Sequence, residues 1–160
     1  MLQRKSLTQE QALQKIKHYT AYQERCHTEV KEKLYSFQLR KAEVEEIIST
    51  LIEENYLNEE RFAIQFAGGK FRINHWGRVK IKYELQQKRV STYCIKKALA
   101  AISETDYLST LEKLADKKWI SLKGQHYLSC QSKTQSYLMQ KGYESVLIQN
   151  VLAKLKLKQV

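Results

Sequence analysis

The 160-residue chain contains no proline and only five glycines, although proteins rich in β-sheet rely on these residues for their many turns. This scarcity predicts helices joined by short connections. Its three cysteines, Cys26, Cys94 and Cys130, form no Cys-x-x-Cys pair, so neither a disulfide framework nor a zinc site is expected. No apolar run approaches the ~20 residues of a membrane span, and the N-terminal sequence MLQRKSLTQEQ has no hydrophobic signal core. We therefore expect a cytoplasmic, all-α protein with no membrane partner.

Residues that could perform catalysis are also few. The only aspartates are Asp106 and Asp116, and Glu84 is the one acid among many bases, whereas two-metal nuclease chemistry needs carboxylates that converge. The four histidines form no His-x-x-x-His pair that could ligate zinc. The Gly-Gly-Lys run at 68–70 is followed by Phe71 rather than the Ser or Thr of a phosphate-binding P-loop. We predict no catalytic residues, no metal and no cofactor, and hence a protein that is not an enzyme.

Positive charge, by contrast, is concentrated in one part of the chain. Residues 61–103 contain ten Lys or Arg residues and a single acid, which accounts for +9 of the net charge of +11. Within a predicted helix over 77–87, Ile81 and Leu85 share an apolar stripe while Arg78 and Lys82 share another, where like charges repel. The fold alone does not favour such an arrangement. It indicates a surface that binds a polyanion or an acidic partner rather than an ordinary solvated helix face.

The apolar residues reveal an internal repeat, which recurs after 51 and then 53 residues. The last four positions of each series follow the i, i+3, i+4, i+7 spacing of a buried helical stripe. The three series are Leu34, Leu39, Val44, Ile47, Ile48 and Leu51; Leu85, Val90, Ile95, Ala98, Leu99 and Ile102; and Leu138, Tyr143, Ile148, Val151, Leu152 and Leu155. The repeat predicts two helices per unit with a short turn between them.

A further helix begins each unit. Thr8 and Gln11 have the spacing of a capping box, Asn58 is a good N-cap, and Ser103 or Thr105 begins the third. The apolar face after the third start is predicted to be Leu108, Leu111, Ala115 and Trp119. Three helices per unit then give a tandem repeat of three three-helix units, over residues 1–55, 56–103 and 104–160. Because each unit has a thin core and must lean on its neighbour, we expect an elongated, curved molecule.

Several positions in the basic unit have more than one interpretation. Phe71 and Trp76 are predicted to be core, although aromatic rings among bases can also stack on nucleobases. The glycines at 68–69 permit either close helix packing or a bend. Arg89 occupies a turn position where glycine often supplies the left-handed cap, as Gly142 does in the third unit.

The stretch from 56 to 90 also resembles a known family. It begins Tyr-Leu-Asn-Glu-Glu-Arg-Phe-Ala at 56–63, continues through a basic segment to Gly77, and ends with Ile-Lys-x-Glu-Leu-x-x-Lys at 81–88 before Val90. Fixed residue types at fixed spacings over this length are similar to the signature of the RecX family of bacterial regulatory proteins. The glycines at 68–69 and Arg89 depart from the commoner form of that signature.

The resemblance implies tandem three-helix repeats and a monomer that binds the RecA recombinase on single-stranded DNA within the filament. It implies inhibition of RecA ATPase, strand exchange and filament growth. The residues expected to contact the filament are Lys70, Arg72, Arg78, Lys80, Lys82, Lys88 and Arg89. Two other functions remain open at this point: a sequence-nonspecific nucleic-acid-binding protein that acts without RecA, and a nuclease or similar enzyme.

Overall fold

The regular structure of the molecule is entirely helical over residues 6–158, the part that the computed structural model describes. We refer to the helices in three successive groups as the first, second and third units. They are α1 (Gln9–Tyr22), α2 (His27–Ser36) and α3 (Lys41–Glu53); α4 (Glu59–Asn74), α5 (Arg78–Gln87) and α6 (Thr92–Ala100); and α7 (Glu104–Ser121), α8 (Tyr127–Lys141) and α9 (Ser145–Leu157). The prediction of an all-α tandem repeat is confirmed. Across these helices none is both long enough and apolar enough to cross a membrane.

The capping residues of the sequence set the helix starts. The Gln11 amide donates to Thr8 Oγ1 and the Thr8 amide donates to Gln11 Oε1, which is the predicted capping box. The Asn58 side chain accepts a 2.9 Å hydrogen bond from the Arg61 amide at the start of α4. Of the two candidates for the third unit, Ser103 is the N-cap of α7.

The repeat predicted from the apolar positions is visible in the backbone. Gln38, Arg89 and Gly142 have φ angles of 60°, 58° and 95° and lie just after the second helix of their respective units. Arg89 therefore adopts the left-handed conformation that glycine often supplies at this turn position. Only the third unit has glycine at this position, so the other two side chains each carry a strain of about 1 kcal/mol.

The apolar series form two separate cores. Ile16, Leu34 and Leu51 belong to a cluster formed by the first unit and by Leu57 in the connection to α4, whereas the second and third units share one continuous core. Cys26 is the residue of the first unit that joins the shared core. Every position of the three apolar series is either buried or packed against one of these cores, which confirms the register of the repeat.

The prediction that Leu108 belongs to the apolar face of α7 is wrong. Leu108 is 37% exposed, and the neighbouring Tyr107 is completely buried in its place. Tyr107 shares one face of α7 with Leu111, Ala115 and Trp119, each four residues from the next. Leu108 lies about 100° further round the helix, because each residue advances by that angle. Phe71 is buried as predicted, whereas Trp76 is half-buried against the shared core.

The second and third units meet through direct backbone contact. The Gly77 amide donates to the Lys141 carbonyl at 2.7 Å, and the Val79 amide donates to the Gly142 carbonyl at 2.9 Å. A Cβ at Gly77 would lie 2.4 Å from the Gly142 carbonyl carbon, and a Cβ at Gly142 would lie 2.2 Å from Lys80 Cβ. Both glycines are therefore needed for α5 to approach the turn after α8.

Besides the contact of Cys26 with the shared core, polar contacts join the first and second units. Thr28 Oγ1 donates to the Lys88 carbonyl at 3.0 Å, and Lys88 Nζ lies 3.0 Å from Glu29 Oε1. Arg61 pairs with Glu24 across the same boundary. The two junctions therefore differ in kind, since the junction between the second and third units also carries the shared apolar core.

The accessible surface of the chain is 10676 Å², whereas a compact monomer of its 18.9 kDa mass would expose about 8,300 Å². This excess is what an elongated array of thin units is expected to show.

Candidate functional site

The basic residues singled out from the sequence lie on the second half of α4, on α5 and in the turn that follows α5. Arg72, Lys82 and Arg89 are exposed, and the other four are half-buried: Lys70, Arg78, Lys80 and Lys88. The structure divides them into groups with different surroundings.

Three of the lysines are brought together by two aromatic rings. Lys80 Nζ lies 4.4 Å and Lys70 Nζ 4.9 Å from the centroid of the Trp76 ring. Lys70 Nζ is also 5.6 Å from the centroid of the Phe66 ring, and Lys88 Nζ is 5.7 Å from the same centroid. All four distances fall within the ~6 Å range of cation–π attraction. We call this alternating set, Lys88–Phe66–Lys70–Trp76–Lys80, the lysine–aromatic ladder.

Arg72 lies apart from the ladder. Its guanidinium covers Gly68, where an added Cβ would be 2.7 Å from Arg72 Nη1, and it lines a small cleft together with Asp106. The helix α4 runs unbroken across both glycines, so Gly68 provides space for the Arg72 side chain rather than a bend. A Cβ at Gly69 would meet nothing within 4 Å.

Arg78 is held by the third unit. Its Nη2 lies 3.0 Å from Glu104 Oε2 and its Nε 3.4 Å from Glu144 Oε2, and its guanidinium carbon is 3.8 Å from the Tyr107 ring centroid. The Arg78 amide donates to the Tyr107 hydroxyl at 3.0 Å, and that hydroxyl donates to Glu144. Burial by itself lowers the pKa of the Arg78 guanidinium, but Glu144, Tyr107 and Glu104 outweigh it and raise that pKa above its ordinary value. Arg78 therefore stabilises the junction between units.

Lys88 belongs to the ladder and also forms an ion pair with Glu29 of the first unit. Burial lowers the pKa of the Lys88 ammonium, whereas the hydrogen bond and charge of Glu29 raise it, and the net shift is upward. Its charge is thus partly neutralised by the first unit. Lys70 and Lys80 make no ion pair with any residue in the 6–158 range.

The outer face of α5 mixes charge with exposed apolar surface. Val79 and Tyr83 are 54% and 57% exposed, and they lie on the same side of the helix as the exposed Lys82. Arg89 is exposed at the left-handed turn just beyond. This face is separate from the buried stripe of Ile81 and Leu85, and its mixed character suits contact with a protein partner.

Sequence reasoning missed several residues that shape this region. Phe66 is one of them, although its spacing of four from Lys70 is a local signal for contact. No local signal links Arg78 to Glu104, Tyr107 and Glu144, because these residues lie 26 or more positions away in the third unit. Over residues 6–158, no group of three or more His, Cys, Asp or Glu side chains is placed to hold a metal ion.

Two family models match this chain. The model of the second three-helix domain of RecX matches residues 58–99, and that of the third three-helix domain matches residues 104–152. Together they span more than half of the chain. The chain is also 29% identical over 138 residues to the regulatory protein RecX of Bacillus cytotoxicus and to that of Bacillus cereus strain AH820. In both cases the match covers 86% of this chain and 51% of the relative, so the chain spans about half the length of these curated relatives.

Solved structures show the same fold. The crystal structure of RecX from Lactobacillus salivarius superposes with a TM-score of 0.85 at 23% identity, covering 93% of this chain and 97% of that one. A second crystal structure of regulatory protein RecX superposes with a TM-score of 0.81 at 22% identity, covering 89% of this chain and 70% of that one. The fold, the two matched domains and the sequence signature agree, and the chain belongs to the RecX family of regulatory proteins.

Proposed function

We propose that this chain binds the filament of RecA on single-stranded DNA and restrains RecA ATPase, strand exchange and filament growth, acting as a non-enzymatic regulator. The observation that carries the proposal is the lysine–aromatic ladder, in a chain that belongs to the RecX family. Lys70 and Lys80 keep their full charge there, since no acid within the described range pairs with them. Adjacent unpaired ammonium groups attract phosphate and acidic protein surface.

The two faces of α5 support contact with a nucleoprotein rather than with a bare strand alone. The ladder offers charge and aromatic rings, whereas the outer face offers Val79 and Tyr83 beside Lys82. Lys70, Lys80 and Lys82 are the residues that we expect to carry the electrostatic contacts. Arg72 and Arg89 remain proposed contacts on neighbouring surfaces. The roles of Arg78 and Lys88 within the fold leave them less charge to offer.

The elongated array favours binding along a filament, because it allows successive units to reach neighbouring protomers. We further propose that residues 1–55, 56–103 and 104–160 act as the three structural modules of this array. The short connections around 54–58 and 101–103 support this division.

The decisive experiment titrates the single-stranded-DNA-dependent ATPase of the cognate RecA with the full chain at near-physiological salt. Inhibition well below one chain per RecA supports the proposal. The pair Lys70→Gln and Lys80→Gln is expected to shift the half-inhibitory concentration upward by about thirtyfold, since each lost phosphate contact is worth about 1 kcal/mol. The matched control is Lys31→Gln with Lys41→Gln, which removes the same charge from exposed positions of the first unit.

An inhibition curve that is unchanged by the Lys70→Gln and Lys80→Gln pair would exclude these lysines from the site.

A second function, nucleic-acid binding without RecA, is favoured by the clustering of unpaired cations beside aromatic rings. Steeply salt-dependent binding to bare single strands, together with no effect on RecA ATPase, would establish that function instead.

A further inference from the structure

A second concentration of cations lies in the third unit, outside the basic segment of residues 61–103. The helix α7 presents Leu114, Lys117, Lys118 and Ser121 along one side of a cleft of about 360 Å³. Their spacing of i, i+3, i+4 and i+7 places all four on one face of the helix. This face of the helix therefore carries two lysines and a serine beside a single apolar residue.

The opposite wall of the cleft comes from α8 and from the end of α4. Tyr137 and Lys141 belong to α8, and His75 follows the last residue of α4. Lys118 Nζ and Lys141 Nζ lie 5.2 Å and 5.9 Å from the Tyr137 ring centroid. Lys141 Nζ also donates to the Asn74 carbonyl at 3.1 Å, which fixes the lysine across the cleft.

No carboxylate lines this cleft. Within residues 6–158, none of the three lysines forms an ion pair. A different face of α7 shows the usual arrangement, with Glu112 and Asp116 paired to Lys154 and Lys158. Ammonium groups that line one cleft without a compensating acid repel one another, so the cleft favours an anion rather than the stability of the fold.

The chemistry of the lining indicates which anion. The lysines of the cleft bind phosphate oxygens as point charges. The Tyr137 hydroxyl adds a donor. Leu114 and the Tyr137 ring supply an apolar wall against which a base or sugar can pack. Phosphate oxygens beside apolar rings occur together in a single-stranded nucleic acid.

The cleft also adjoins the ladder. His75 directly precedes Trp76, and Lys141 directly precedes Gly142, which is packed against Lys80. We infer that this cleft binds a phosphodiester of single-stranded nucleic acid and continues the track of the ladder from the second unit into the third. The inference rests on the proposed function in one respect, because it takes the ladder to be the surface that contacts the nucleic-acid strand.

The test measures the fluorescence anisotropy of labelled oligothymidylate with the full chain, without RecA, over a series of salt concentrations. The pair Lys117→Gln and Lys118→Gln is expected to weaken binding about tenfold. It is also expected to make the slope of log K against log salt less negative by about 1.4, because each phosphate contact on a single strand contributes about 0.7. The control pair Lys133→Gln and Lys156→Gln removes equal charge from exposed positions of the same unit, and is expected to change affinity less than about twofold.

A second variant, Tyr137→Phe, removes only a hydroxyl from the cleft and is expected to weaken binding about threefold. Equal losses of affinity in the cleft pair and in the control pair would overturn the inference, because they would show that the strand responds to the overall positive charge of the unit rather than to this cleft. No binding by the unaltered chain at low salt would also overturn it. So would tighter binding of a polyglutamate peptide through the same lysines, which would assign the cleft to an acidic protein segment. If the cleft pair alone loses oligothymidylate while the unaltered chain has no effect on RecA ATPase, the cleft stands and the proposed function fails.

Discussion

Gly77→Ala tests the backbone contact that joins the second and third units. The added Cβ would lie 2.4 Å from the carbonyl carbon and oxygen of Gly142 and 2.5 Å from the Tyr143 nitrogen. All three are backbone atoms, so the conflict is relieved only by separating α5 from the turn after α8. That separation also lengthens the hydrogen bonds from the Gly77 and Val79 amides.

The expected cost follows from these contacts. Overpacking costs about 1–3 kcal/mol, and two weakened backbone hydrogen bonds add about 1 kcal/mol each. The free energy of unfolding should therefore fall by about 3–5 kcal/mol, which is a large part of the roughly 5–15 kcal/mol typical of a folded protein. At this chain length the melting temperature should fall by roughly 10 °C. Urea and thermal unfolding followed by circular dichroism measure both quantities.

The chain offers a matched control in Gly69→Ala. The new methyl group meets nothing within 4 Å, and Gly69 lies inside α4, so this variant should be more stable by about 0.5–1 kcal/mol through helix propensity alone. The reasoning is refuted if the free energy of unfolding of Gly77→Ala lies within about 0.5 kcal/mol of that of the unaltered chain. It is also refuted if both variants shift the free energy of unfolding in the same direction.

Three further variants test individual contacts. Tyr107→Phe should lower stability by about 1–2 kcal/mol at pH 8, because the hydroxyl bonds both the Arg78 amide and Glu144. Burial raises the pKa of Tyr107 in the folded protein. The contribution of the hydroxyl to stability is therefore complete below the pKa of an unfolded-state tyrosine, near 10, and falls as the pH rises above that value. Denaturant unfolding should accordingly show a smaller difference in stability between the unaltered chain and Tyr107→Phe at about pH 10.5 than at pH 8. Glu29→Gln should cost about 0.5–1 kcal/mol in low salt and less in high salt, which thermal unfolding across a salt series would reveal. Arg89→Gly should leave stability unchanged or raise it by up to about 1 kcal/mol by relieving the positive φ, while anisotropy shows weaker binding to oligothymidylate if the side chain contacts the strand.

The fold could be predicted from the sequence because its determinants are local. The spacing of residues such as Ile47, Ile48 and Leu51 defines helical stripes within a single turn or two. The caps at Thr8 and Asn58 act on amides three residues away. The left-handed turn at Arg89 followed from its alignment with Gly142 in the repeat.

The candidate site was less accessible to sequence reasoning because its geometry depends on contacts between units. Arg78 and Lys82 look equivalent on a helical projection, yet Arg78 is enclosed by three residues of the third unit and Lys82 faces solvent. The cleft of the third unit was missed for the same reason. Lys117 and Lys141 lie on different helices, and His75 comes from another unit, so no window of the sequence contains the site.

The lysine–aromatic ladder has a consequence for the energetics of association. A lysine held by a carboxylate gains a fixed position but loses its field, since the two charges cancel at a distance. Lys70 and Lys80 are positioned instead by the Trp76 ring, which carries a quadrupole and no net charge. Their side chains are therefore already restricted in the unbound molecule while the full positive potential remains. About 0.5–1.5 kcal/mol of ordering cost for each side chain is then met during folding rather than on encounter with the polyanion, which makes the ladder a preorganised electrostatic surface.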